Sequence, residues 1–194
     1  MAKTIGLTGG IGTGKTVVAK IFSMLGADIY NADAAARKLM TEDATIILHI
    51  KHLLGALSYN ADGSLNRTYV ADKIYQDETL RKKLNEIVHP VVIENGKNYV
   101  LSSKHNYVIK EAAILFESGS DAYCDKIILV SSPLEMRINR VMQRDGRNRE
   151  EVLKVIASQM PEEEKIRKSD FIIYNDEKQS LITQTMQVHA QLLI

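Results

Sequence analysis

Lys3-Thr-Ile-Gly-Leu-Thr-Gly-Gly-Ile-Gly-Thr-Gly-Lys-Thr16 decides the fold. Its first six residues are short, β-branched and apolar, and they run directly into glycines, the pattern of a buried strand. Five of the eleven glycines lie between Gly6 and Gly14. After them Val17, Val18, Ile21, Phe22 and Leu25 repeat at three- and four-residue steps, which predicts an amphipathic helix closed by Gly26. A second strand fits Ala27 to Tyr30. Strand, glycine loop, helix and strand make a βαβ unit, so the sheet is expected to be parallel with right-handed crossovers.

Within that unit, Gly9 to Thr16 match G-x-x-x-x-G-K-[ST]. Glycines let the backbone take positive φ and bring its N–H groups to phosphate oxygens. The following helix aims free N–H groups and a partial positive charge at the same anion. Lys15 supplies a compact cation for the β- and γ-phosphates, and the Thr16 hydroxyl is placed to ligate Mg²⁺. A glycine turn of this form arises by chance in such a chain on the order of 1% of the time. Here an apolar strand precedes it and an amphipathic helix follows, so a nucleotide site is expected.

Outward from this core, Ile46, Ile47, Ile50, Leu53 and Leu54 form one apolar stripe, and Tyr69, Val70, Ile74, Leu80, Leu84, Ile87 and Val88 continue a helical pattern. Asn60-Ala-Asp-Gly63 marks a turn between them, and His89-Pro90 is expected to interrupt or restart a helix. Further strands are predicted at Tyr107–Ile109, Ile127–Val130 and Phe171–Tyr174, with a polar, Arg-rich helical stretch from Glu135 to Lys168. The fold class is therefore α/β, a three-layer arrangement of a parallel β-sheet flanked by helices, and the order of elements resembles that of a P-loop kinase fold. Residues 1–33, 102–134 and 169–194 would form the nucleotide-binding core, 34–101 a helical acceptor-binding insertion, and 135–168 a helical lid.

Composition sets bounds on this reading. Lys+Arg 25 against Asp+Glu 24 leaves a formal net charge of +1, which removes the simplest case for a nucleic-acid coat or a polybasic membrane binder. Hydrophobic residues at 45% and charged residues at 25% argue against a disordered chain. The single Cys124 permits no internal disulfide and suits a reducing, cytoplasmic setting. Met1 to Ile11 holds no long apolar stretch, and no uncharged window reaches the ~20 residues of a membrane span, so neither a secretory signal nor a membrane partner is expected. A monomer is expected. No D-x-x-G or N-K-x-D string occurs, against a GTPase switch. Tyr107-Val-Ile-Lys-Glu111 is short for a motor ATPase strand and ends in Glu. A helical insertion and an Arg cluster instead offer an acceptor pocket, a cover against water and cations for the γ-phosphate, the needs of phosphoryl transfer.

Asn31-Ala-Asp33 lies just past the second strand, where the carboxyl ends of parallel strands open onto a common crevice. A carboxylate there can accept the proton of an attacking hydroxyl. Arg37, four residues on, is suited to an anionic group of the acceptor. An N-capping Asp33 with Arg37 as its solvated partner accounts for the same spacing.

At this point the chain resembles the dephospho-coenzyme A kinase family of P-loop kinases, from Ile5 to about Asp176. The resemblance rests on Gly6 to Thr16, Asn31-Ala-Asp33 with Arg37, His89-Pro90 and Ile114-Leu-Phe-Glu117. It continues through Arg140 with Gln143-Arg-Asp145, Gln159-Met-Pro161 and Asn175-Asp176. It implies transfer of the γ-phosphoryl of ATP, with Mg²⁺, to the ribose 3′-hydroxyl of dephospho-coenzyme A. It further implies Asp33 as general base, with Lys15 and Arg140 beside it in catalysis. Thr8, Asp33, Arg37, His89, Leu115, Phe116 and Glu117 would line the acceptor site. Ile11, Gly12, Thr13, Gly14, Lys15, Thr16, Arg140 and Asn175 would hold ATP, the last two near the adenine. The family's usual D-A-D reads Asn31-Ala-Asp33 here, and its D-x-P-L-L-F-E reads Glu111-Ala-Ala-Ile-Leu-Phe-Glu117, which leaves Glu111 as a candidate acid near Mg²⁺. A kinase for another small hydroxyl acceptor such as a nucleoside, and a non-catalytic nucleotide-binding module, are the alternatives.

The remaining residues carry two readings each. Arg137, Arg140, Arg144, Arg147 and Arg149 are five of the nine arginines, either a solvated basic helix or a mobile lid over polyphosphate. His89 reads as a helix-end histidine without the resemblance, Phe116 as core, and Glu117 as a solvated loop acid. Asn175 either caps a turn or faces a base. Cys124 is expected to be structural, and the seven scattered Met residues core fillers.

Overall fold

A computed structural model describes residues 2–194, with the Gln76 side chain outside the description. The chain divides into two compact units, one comprising the chain up to Asn31 together with Tyr99–Ile194, the other Ala32–Asn98.

The first unit is built on a five-stranded sheet in the order β2-β3-β1-β4-β5, every neighbouring pair parallel. The strands are β1 (Lys3–Thr8), β2 (Asp28–Asn31), β3 (Tyr107–Glu111), β4 (Lys126–Ser131) and β5 (Phe171–Tyr174). All five fall where the apolar runs predict them. β1 is central and its Ile5 and Leu7 are fully buried, as a strand covered on both faces must be. Helix α1 (Lys15–Met24) and the final helix α9 (Leu181–Leu192) enclose one core with this sheet, into which Val18, Phe22, Tyr107, Val188 and Leu192 pack. The Tyr107 phenol and His189 Nδ1 share a hydrogen bond of 2.6 Å that ties α9 to β3. At the open edge the Gln184 side chain bonds both the N–H and the C=O of Tyr174 at 2.8 and 2.9 Å, which blunts β5.

The Arg-rich stretch is three helices: α6 (Leu134–Asp145), α7 (Arg149–Ala157) and α8 (Glu162–Lys168). Pro133 and Pro161 stand just before α6 and α8, and Asn148 with Glu151 forms a capping box at α7. Ile138, Val141 and Val152 give α6 and α7 a small core of their own.

The second unit is helical: α2 (Ala32–Glu42), α3 (Ala44–Leu54), α4 (Arg67–Gln76) and most of α5 (Glu78–Ser102). Asp43 caps α3 by accepting from the N–H groups of Thr45 and Ile46, both at 2.9 Å. The break expected at His89-Pro90 does not occur, because α5 runs straight through Pro90. Proline deletes the N–H that would serve the Glu86 carbonyl. Both residues are on the exposed side, so water can take that carbonyl and the helix survives. Among the described residues, no helix is long and apolar enough to cross a membrane.

Candidate active site

The phosphate loop follows directly from β1. Gly12 and Gly14 take φ of +80° and +91°, left-handed values that L side chains rarely adopt. A Cβ on Gly12 would meet the Arg137 backbone, and one on Gly14 the Asn175 amide, so both positions need glycine twice over. Helix α1 starts at Lys15 with Gly14 before it and no side-chain cap, so the positive end of its dipole adjoins the loop, where an anion is favoured. Lys15 Nζ is folded back onto the carbonyls of Gly9 and Gly10 at 2.8 and 3.2 Å.

Three side chains grip the loop from outside. Gln159 Oε1 accepts from the Ile11 N–H at 2.9 Å, Arg137 Nε donates to the Ile11 carbonyl at 3.0 Å, and Asn175 Nδ2 donates to the Thr13 carbonyl at 2.8 Å. Among the described residues no peptide bond is cis, so a carbonyl pulled outward turns the next N–H the opposite way. The Arg137 and Asn175 contacts therefore point the Gly12 and Gly14 N–H groups into the cradle. Arg140 lies beside Asn175, donating to the Ser132 hydroxyl at 3.0 Å, to Asn175 Oδ1 at 3.4 Å and to Glu177 at 3.3 Å.

At the carboxyl end of β3, Glu111 is 5% exposed and accepts two neutral donors, the Thr16 hydroxyl at 2.8 Å and Asn31 Nδ2 at 2.9 Å. A hydroxyl and a carboxylate meet here, hard oxygen donors of the kind Mg²⁺ takes, while Asn31 turns its amide nitrogen to the carboxylate. A buried carboxylate bonded only to neutral groups also leaves its charge for a cation. The residues fit the metal. The two departures from the family pattern act together: an Asp at 31 would face the Glu111 carboxylate, whereas Asn31 donates to it.

Thr8 is fully buried, and its Oγ1 has no hydrogen-bond partner among the described residues. Leu115 is fully buried against Gly6 and Phe116 nearly so, with Lys168 Nζ 5.8 Å from the Phe116 ring centroid. Glu117 is not a solvated acid: it accepts from the Met160 N–H at 2.8 Å and lies 3.2 Å from the buried Lys165 ammonium. The arginines part company. Arg137 is buried and paired with Glu162 at 2.8 Å, and burial draws its guanidinium below the ordinary arginine range. Arg144 pairs with Asp145 and Arg149 with Glu135. Glu162 also accepts from the Ser131 hydroxyl at 2.6 Å, a role with no sequence signal beyond an acidic run.

In the helical unit, Asp33 is the second residue of α2, where the helix dipole favours a carboxylate, and Arg37 follows one turn later. His89 is in α5, and burial holds its imidazole below the ordinary pKa, favouring the neutral ring.

The family model for dephospho-CoA kinase matches residues 3–180. A dephospho-CoA kinase of Bacteroides fragilis is 35% identical over 194 residues, covering 98% of this chain and 93% of that one. A solved Thermus thermophilus structure superposes with a TM-score of 0.88 at 30% identity, over 100% of this chain and 98% of that one. A solved dephospho-CoA kinase from Campylobacter jejuni gives 0.71 at 25% identity, over 99% and 98%. A shikimate kinase from Acinetobacter baumannii gives 0.54 at 18% identity over 100% and 93%, a likeness of fold alone. A family match across nearly the whole chain, on a parallel sheet that carries an externally braced phosphate loop, settles the assignment: the chain belongs to the dephospho-CoA kinase family.

Proposed function

We propose that this chain transfers the γ-phosphoryl group of ATP to the ribose 3′-hydroxyl of dephospho-coenzyme A, with Asp33 as the general base and Thr16, with Glu111 beside it, as the site of Mg²⁺. The observation that carries the reading is the convergence of Thr16 and Asn31 on the Glu111 carboxylate, at the end of the strand beside the phosphate loop. Asp33 follows Asn31 by two residues, at the start of α2.

The loop N–H groups and Lys15 bind and orient the triphosphate, and Lys15 leaves the Gly9 and Gly10 carbonyls to do so. Thr16, with Glu111 beside it, would hold Mg²⁺, which would supply positive charge to the transferring phosphates when bound. Asp33 takes the proton of the acceptor hydroxyl as its oxygen bonds to the γ-phosphorus. The bond from that phosphorus to the bridging oxygen breaks, and ADP departs with the electron pair. Arg140, held by Ser132 and Asn175, places its positive charge beside the nucleotide. Arg37 and His89 belong to the acceptor side, with Thr8 and the segment Leu115 to Glu117 shaping it. Residues 34–101 serve as the acceptor-binding insertion and 135–168 as the lid. The near-neutral charge and lone Cys124 support a monomeric, cytoplasmic enzyme that engages neither nucleic acid nor membrane.

The test is ADP release from ATP in the presence of dephospho-coenzyme A or a panel of nucleosides. Release only with dephospho-coenzyme A supports the reading, and equal release with a nucleoside overturns the acceptor. Asp33→Asn should lower turnover by about 10²–10⁴-fold with ATP binding nearly intact, and unchanged turnover removes Asp33 as the base.

A further inference from the structure

The Gly10–Ile11 peptide is held on both sides. Its N–H faces outward to Gln159 Oε1 at 2.9 Å. Its carbonyl, which must point the other way in a trans unit, faces inward, where it accepts from Thr13 Oγ1 at 3.0 Å and Lys15 Nζ at 3.2 Å. The residue that holds the outward side belongs neither to the loop nor to a helix, because Gln159 lies in the connector between α7 and α8. That connector is itself fixed, with the Met160 N–H on Glu117 and Glu162 on Arg137 and Ser131. A cavity of ≈ 120 Å³ opens between Gly10 and this connector, bounded by Arg137, Gln159, Met160 and Lys165. The peptide thus has room to turn over, and Gly10, lacking a Cβ, offers little resistance.

We propose that Gln159 is a positioning residue for nucleotide binding: it pins the Gly10–Ile11 peptide with its N–H outward, so that the loop is already in its phosphate-binding shape when ATP arrives. Without that acceptor the half-buried Ile11 N–H loses its partner and the peptide turns over into the cavity. The Gly10 carbonyl then loses its bond from Thr13 Oγ1, and the fraction of molecules with a competent loop falls. Binding weakens by that fraction, the cost of lost preorganisation. This rests on Gly9 to Thr16 being the site of the ATP phosphates.

The test measures ADP affinity by calorimetry on the full chain for the wild type, Gln159→Met and Lys15→Ala. It adds KM for ATP, kcat and thermal stability for the first two. Methionine keeps the length of glutamine and removes the acceptor. One neutral hydrogen bond corresponds to about a three- to tenfold effect. ADP affinity should weaken by that factor and KM for ATP should rise with it, while kcat at saturating ATP and KM for the acceptor stay within twofold. A merely structural role would reduce active protein and leave both KM values alone. Wild-type ADP affinity in Gln159→Met overturns the proposal, as does a loss of affinity that tracks a loss of folded protein. A second measurement needs no variant: the Ile11 amide of the wild type should be protected from hydrogen exchange, and fast exchange there also overturns it. If Lys15→Ala binds ADP as the wild type does, the loop assignment itself is wrong, an outcome distinct from failure at Gln159.

Discussion

Replacing Asn31 with Asp puts a second carboxylate where an amide now donates to Glu111. The amide nitrogen and Glu111 Oε2 are 2.9 Å apart, and Glu111 is 5% exposed. Two unit charges at that distance repel by about 6 kcal/mol at an effective dielectric of about 20. Rotation to about 5 Å apart reduces this to about 3 kcal/mol, enough for the folded variant to keep one proton on the pair where separate carboxylates keep none. The folded variant then holds a proton that the unfolded chain has lost between about pH 4 and 6. Its stability therefore falls relative to the wild type as pH rises through that window. The deficit should be small near pH 4, grow to about 3 kcal/mol by pH 7, and stay level above. Urea unfolding of both proteins in chelator, at half-unit steps from pH 4 to 8.5, reads this directly. Millimolar Mg²⁺ at pH 8 should restore more stability to Asn31→Asp than to the wild type, since a cation between two carboxylates relieves their repulsion. A deficit equal at pH 4.5 and pH 8, or one that Mg²⁺ does not touch, refutes the pairing of Asn31 with Glu111 as an electrostatic device.

Lys15→Ala should weaken ADP binding by about 10–150-fold, the loss of one charge-assisted contact, as measured by calorimetry. Leu115→Ala removes a fully buried side chain packed on Gly6 and should cost about 2–5 kcal/mol in denaturant unfolding; a cost below ~1 kcal/mol would mean the site collapses without a cavity. Burial pushes the Cys124 thiol up to about 11, so at pH 8 its reaction with a disulfide reagent should be about 10²-fold slower in the native protein than in urea, and equal rates would contradict that burial.

The sheet was legible because strands buried on both faces write themselves as apolar runs, and five short runs became the five strands. The phosphate loop was legible because its chemistry needs glycines in a fixed pattern. Burial of charge was not. Arg137 sits three residues from Arg140 in one charge run, and nothing local distinguishes the guanidinium that goes under the loop from the one beside Asn175. Its partner Glu162 lies 25 positions away in the chain. Glu117 reads as a loop acid for the same reason, since its partners Met160 and Lys165 come from another element. Pro90 misled because a local helix breaker was weighed without knowing that water could reach the carbonyl it strands. Asn31 and Glu111 each looked like a weakening of the family pattern, and only their 2.9 Å contact makes them one compensated pair.

The position of β1 bears on how the molecule is born. This strand leaves the ribosome well before either neighbour: Lys3 pairs with Tyr107 and Ile5 with Lys126, about a hundred residues later. At cellular rates of translation that is a wait of roughly 5–20 s. Throughout it, an apolar edge ready to accept any passing backbone hangs from the nascent chain. The helices encoded between 32 and 98 form from near neighbours in the meantime, while the strand that will carry the phosphate cradle stays hostage to the arrival of its partners. Slowing elongation within residues 30–105 should therefore increase this protein's dependence on chaperones, and slowing it beyond residue 130 should not.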